Sequence, residues 1–151
     1  MVDTIFLQDC LEGMKAIPTG SVDLILTDLP YGTTKNKWDN VIPFDALWAA
    51  YERIIKEHGA IILFCDGMFT AKLICSNPKL WRYNLVWDKQ RGCDFLNANV
   101  KPMKCHEDIA VFYKKSLFTT SNFGIQIHIR KRKMGHFLKT TEIVIRLYQK
   151  V

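Results

Sequence analysis

The sequence predicts an α/β fold: a mainly parallel sheet with helices on both faces and an irregular C-terminal tail. Two observations carry that expectation. Short apolar runs alternate with segments of helical period, which is the pattern of a sheet covered by its own crossover helices. The composition, with 48% hydrophobic and 24% charged residues in 151, is that of a globular chain able to bury one core.

The elements follow in order. An apolar run at residues 4–8 reads as the first strand, and residues 10–17 have a helical pattern closed by the turn Pro18-Thr19-Gly20. Residues 22–27 (VDLILT) form a compact second strand. Over residues 43–58, Phe44, Leu47, Trp48, Tyr51, Ile54 and Ile55 recur at the spacing of one helix face. Pro43 suits the first turn of that helix and Gly59 its stop. Residues 60–65 (AIILFC) read as a buried strand, 68–75 as a helix, 83–87 as a strand, and 109–113 as a further strand entered through Pro102 and His106. Beyond about Ser116 the period is lost, so two regions are expected, 1–115 and a tail over 116–151. Within the tail, residues 142–147 read either as a strand or as a poorly ordered apolar stretch.

Charge divides the chain at nearly the same place. Residues 1–100 hold 10 Lys/Arg against 12 Asp/Glu, a balance of −2, and residues 101–151 hold 11 against 3, a balance of +8. The basic run Arg130-Lys131-Arg132-Lys133 suits a polyanion such as DNA, or equally a solvated tail. Five cysteines without a CxxC spacing point to buried free thiols, with no metal site expected. No apolar run approaches membrane-spanning length and no secretory leader is recognisable, so a cytoplasmic protein is expected.

In open α/β sheets, ligands bind beyond the carboxyl ends of the strands. Asp9, Asp28 and Asp66 each follow a predicted strand. Asp28-Leu29-Pro30-Tyr31 is the most informative string, because it sets an acceptor, a restrained backbone and an aromatic face at one strand end. An exocyclic amine of a nucleobase is a weak nucleophile, its lone pair delocalised into the ring. A carboxylate and a nearby carbonyl that accept its two N–H groups favour a tetrahedral nitrogen, whose lone pair can then attack a methyl sulfonium. Tyr31 can stack on a base that has left the duplex, and Pro30 fixes φ. The competing reading is a strand-ending turn in which Asp28 caps a backbone N–H. The following loop carries Lys35 and Lys37, suited to phosphates or to solvent alone.

These blocks together resemble the beta-type DNA amino-methyltransferases, in which the catalytic motif precedes the cofactor motif. FLQDCLEGMKAIPTGSVDLILTDLPYGTTKNKWD is similar to the family opening, G-D-C-x-x-x-(M/L) followed by S-V-D-L-(I/V)-x-(T/C)-D-P-P-Y-G. GAIILF, LVWDK and FLNANVKPMKCHEDIAVFYK resemble its later blocks. The resemblance implies a partial Rossmann-like sheet over residues 1–115 and transfer of a methyl group from S-adenosylmethionine to adenine N6 in DNA. Asp28, Leu29 (through its carbonyl), Pro30 and Tyr31 would form the amine pocket. Asp9 and Cys10, with Asp28, would lie at the cofactor, and His106 and Glu107 would shape the base side. An Asp at the head of the motif favours adenine N6, whereas Ser favours cytosine N4.

Two departures stand out. Leu29 replaces the usual Pro, and an F-x-G-x-G block, which in the family holds the methionine end of the cofactor, is absent from the 151 residues. The expectation is therefore a truncated enzyme, with a polypeptide that supplies the missing cofactor-binding half as its candidate partner. The alternatives are a catalytically inactive DNA-binding fragment, a cytosine-N4 enzyme, and an α/β enzyme acting on a small molecule.

Overall fold

Residues 59–65 are buried without interruption, and this stretch is the centre of the sheet. The computed structural model describes residues 5–93, 95–115, 123–134 and 138–149. In chain order the elements are α1 (Cys10–Lys15), β1 (Val22–Asp28), α2 (Phe44–Ile54), β2 (Ile55–Cys65), α3 (Gly67–Ser76), β3 (Trp81–Cys93) and β4 (Lys104–Phe112), then β5 (Phe123–Met134) and β6 (Leu138–Gln149). A short 3-10 turn at Phe95–Asn97 lies between β3 and β4. The chain divides into two compact units, Met1–Leu117 and Phe118–Val151.

In the first unit the strand order is β1-β2-β4-β3. β1 and β2 run parallel, joined by the α2 crossover, while β4 runs antiparallel to both β2 and β3. The sheet is thus mixed where a mainly parallel one was expected. The reason lies in residues 95–103, which form no covering helix, and a strand reached without a long crossover returns antiparallel.

Ile61, Leu63 and Cys65 of β2 and Ala110 and Phe112 of β4 gather with Met14, Leu47, Trp48, Tyr51, Ile54, Phe69 and Leu73 in one core. Complete burial of each such aliphatic contributes roughly 1.5–3 kcal/mol. α1, α2 and α3, expected on both faces, all contribute to this one cluster among the described residues. Ile62, Phe64, Ile109 and Val111, at the alternating positions, are buried as well. Trp48 Nε1 donates to Ser76 Oγ at 2.7 Å, tying α2 to α3. Arg53 ties α2 to α1, its guanidinium donating to the carbonyls of Met14 and Ile17 at 2.6 and 2.8 Å. The Met14 carbonyl also accepts Ile17 N at 3.0 Å, so the guanidinium clasps the turn that closes α1.

Two boundaries differ from expectation. Residues 5–7 form no strand, and Ile5 and Leu7 are 95% and 100% exposed, so hydrophobicity alone did not give the run a pairing partner. α2 ends at Ile54, because Ile55 is already extended and opposite Val22. Gly59 therefore lies inside β2 and does not stop a helix. A Cβ there would meet Ile55 Cγ1 at 2.8 Å and the Asp23 carbonyl at 3.0 Å, so glycine permits a close strand approach.

In the second unit, β5 and β6 form an antiparallel hairpin rather than an irregular tail. Ile125, Ile127 and Ile129 stand opposite Leu147, Ile145 and Ile143, a strand-period row. Flanking Thr, Ser, Asn and basic residues hid that alternation in the sequence.

Candidate active site at the carboxyl end of β1

Parallel pairing sets the ends of β1 and β2 side by side, with Asp28 opposite Phe64 and Asp66 just beyond. The Leu29 side chain turns into the core, only 8% exposed, which anchors the motif from beneath. Pro30 is half-buried, and Tyr31 folds back so that its hydroxyl donates to Asp28 Oδ1 at 2.7 Å. One face of the Tyr31 ring stacks on Phe69 of α3, with centroids 4.8 Å apart and planes 28° from parallel. Burial, the hydrogen bond to Asp28 and the negative charges of Asp28 and Glu107 all push the Tyr31 hydroxyl well above the usual phenol range. Tyr31 is therefore a neutral donor at ordinary pH, and the exposed Asp28 side chain is held in a defined direction by it.

Ion pairs line the same rim. Lys104, at the start of β4, pairs with Asp66, and Lys89 of β3 pairs with Glu107. Behind them, Thr70 Oγ1 donates to Asp108 Oδ2 at 3.3 Å. Burial raises the Cys65 thiol pKa, so this cysteine is a neutral core group. His106 is exposed and stands opposite Asp88 in the ladder, whereas Glu107 is half-buried, opposite Trp87, and ion-paired with Lys89.

The loop after Tyr31 is braced by Asp39, which is 6% exposed. Its carboxylate accepts the backbone N–H of Gly32 at 2.8 Å, Thr33 at 2.9 Å and Thr34 at 2.6 Å. The Thr34 side chain and these backbone donors hold Asp39 below the usual aspartate range. Gly32 has φ +68°, and a Cβ there would lie 2.9 Å from Val41 Cγ2, so the turn needs glycine on both counts. Lys35 and Lys37 are exposed on this loop.

Asp9 is the N-cap of α1, its Oδ1 accepting Leu11 N at 2.9 Å and Glu12 N at 3.2 Å. It is not the end of a strand, and both capping bonds use one oxygen. Cys10 is the first residue of α1 and exposed, its thiol pKa raised mainly by burial of the sulfur and then by Asp9. Arg130, Lys131, Arg132 and Lys133 fall in β5, opposite Glu142, Thr141, Thr140 and Lys139. Their side chains lie outside the described part of the structure. No group of three or more His, Cys, Asp or Glu suited to a metal occurs among the described residues. No described helix is long and apolar enough to cross a membrane.

Sequence reasoning placed Asp28, Pro30 and Tyr31 together but missed Phe69 and Asp39. Phe69 was legible only as a helix residue. Asp39 sits in a Trp-Asp-Asn run whose turn-forming character was the available signal.

No family model matches the chain. It is 26% identical over 164 residues to the type II methyltransferase M.HinfI of Haemophilus influenzae, covering 87% of this chain and 44% of that protein. The chain thus spans less than half the length of this relative. The fold is similar to that of the PvuII DNA methyltransferase (cytosine-N4-specific), with a TM-score of 0.59 and 12% identity over 74% of this chain and 49% of that one. It is also similar to the M1.HpyAVI–SAM complex, with a TM-score of 0.50 and 16% identity over 85% and 58%. These structural likenesses give the fold as one similar to that of Rossmann-like DNA methyltransferases.

Proposed function

We propose that this chain is the catalytic part of a DNA amino-methyltransferase that uses S-adenosylmethionine to methylate adenine N6. The observation that carries the reading is the directed carboxylate of Asp28 at the end of β1, held by Tyr31 against Phe69. Asp28 would accept an N–H of the target amine through the oxygen that Tyr31 leaves free, and the Leu29 carbonyl would accept the other. Both bonds draw electron density onto nitrogen, and the negative carboxylate stabilises positive charge as the nitrogen–methyl bond forms. The amine proton then leaves from the product cation, with Asp28 the nearest acceptor. Tyr31 would hold the base by its unstacked face, after the base has left the duplex.

S-adenosylmethionine supplies an electrophilic methyl group when bound. The residues present fit part of its site: Asp9 retains one carboxylate oxygen beyond its capping bonds, and Cys10 stands beside it. The F-x-G-x-G block is not among the 151 residues, so the methionine end would be held by another segment or by a partner polypeptide. The five cysteines, free in the structure, agree with a cytoplasmic setting.

Asp28 favours adenine, while the structural likeness to an enzyme named cytosine-N4-specific makes cytosine N4 the second reading. The test is methyl transfer from labelled S-adenosylmethionine to unmethylated DNA, followed by separation of modified nucleosides. N6-methyladenine supports the proposal. N4-methylcytosine moves it to the second reading. A folded chain that binds DNA but neither binds S-adenosylmethionine nor transfers methyl groups is an inactive DNA-binding fragment.

A further inference from the structure

Trp38 is 72% exposed, on the loop that follows the amine pocket. Single exposed hydrophobic residues are ordinary on protein surfaces, so exposure by itself assigns nothing. Three further observations set this one apart. First, the backbone around it is held. Asp39 on one side accepts three backbone N–H bonds from residues 32–34, and Asn40 Nδ2 donates to the Lys37 carbonyl at 2.7 Å. Secondly, the indole has no hydrogen-bond or ring partner among the described residues, whereas Trp48 and Trp81 donate to Ser76 Oγ and Asn84 Oδ1. Thirdly, Lys35 and Lys37 are exposed on the same loop. An exposed aromatic face beside two exposed cations, on a braced backbone, matches the chemistry of a nucleic-acid strand, which offers base faces and phosphates together.

We propose that Trp38 stacks on an unpaired nucleobase of the DNA while Lys35 and Lys37 meet the flanking phosphates. This rests on the reading of DNA as substrate and adds a base contact distinct from the amine pocket. Asp39 sets the position of that contact. By joining residue 39 to Gly32 N, it brings Trp38 back to the start of the loop, one residue beyond Tyr31. A base extruded toward Tyr31 leaves an unstacked neighbour, and Trp38 is placed to cover it.

The test uses the full chain, a single-stranded adenine-containing oligonucleotide and a duplex with one mismatched adenine. Binding is followed by tryptophan emission and, separately, by anisotropy of labelled DNA across a salt series. Wild type is expected to show quenching that Trp38→Phe abolishes while keeping most of its affinity. Trp38→Leu, apolar but without a π face, should bind about tenfold more weakly. Its salt slope should match wild type, because the phosphate contacts remain. The double substitution Lys35→Ala with Lys37→Ala should instead flatten that slope. Unchanged affinity in Trp38→Leu, or quenching that persists in Trp38→Phe, overturns the assignment while DNA binding stands. A wild-type chain that binds neither oligonucleotide overturns the DNA reading itself, and Trp38 with it.

Discussion

The Tyr31 hydroxyl donates to Asp28 Oδ1 across 2.7 Å, joining the two residues on which the proposed chemistry depends. Phe69 supports the Tyr31 ring from the other side. The pair can therefore be separated by substitution into an electrostatic and an aromatic part.

Asp28→Ala should abolish methyl transfer and leave the fold unchanged, since Asp28 is exposed and enters no core contact. Tyr31→Phe should keep the Phe69 stack but release Asp28, lowering transfer through poorer orientation and costing about 0.5–1.5 kcal/mol of stability. Tyr31→Ala should lose the stack as well, a further 0.5–1.5 kcal/mol or so before burial is counted. Labelled methyl transfer and urea denaturation of the three variants check this ordering. Activity retained in Asp28→Ala would remove the catalytic assignment.

Leu29 departs from the family pattern, and its burial shows what restrains the motif here. A proline in that position limits the backbone through its ring, whereas Leu29 is held by a side chain packed in the core. Leu29→Ala should cost roughly 2–5 kcal/mol and loosen Asp28 relative to Tyr31. Thermal unfolding measures the first effect, and the temperature dependence of transfer measures the second. A variant as stable as wild type would mean that Leu29 does not anchor the motif.

The site was legible in part for a definable reason. Asp28, Pro30 and Tyr31 are adjacent in the chain, so their meeting needed only a strand end. Phe69 reaches Tyr31 through tertiary packing, and no local pattern connects positions 31 and 69. Periodicity likewise found β1, α3 and the centre of β2. It failed at residues 55–59, where pairing of Ile55 with Val22 prevailed over a helix-compatible pattern. The antiparallel course of β4 was implicit in residues 95–103, too short for a covering helix, but became clear only with the strand order.

Asp39 gives a pH signature. Its hydrogen bonds hold the folded-state pKa below the unfolded value, so its contribution is fully present above the usual aspartate pKa. That contribution is lost as pH falls through the lower, folded value. Asp39→Asn cannot accept all three backbone bonds as a charged group and should be less stable near neutrality. The gap between the two proteins should narrow progressively below about pH 4. Denaturation midpoints from pH 7 to the acid limit check the sign, and a gap that widens in acid would contradict the brace.

Gly59 offers a prediction independent of the proposed chemistry. In Gly59→Ala the new Cβ would lie 2.8 Å from Ile55 Cγ1 and Cδ1 and 3.0 Å from the Asp23 carbonyl. Ile55 is 2% exposed and has little room to turn, and Asp23 presents backbone. The substitution should therefore force β1 and β2 apart at this point, at a cost of about 1–3 kcal/mol. Chemical denaturation measures the cost, and a Gly59→Ala protein as stable as wild type would contradict the close approach. Because Asp28 stands at the far end of the same strand pair, a separation that propagates along β1 should also lower methyl transfer, whereas a local one should leave it unchanged.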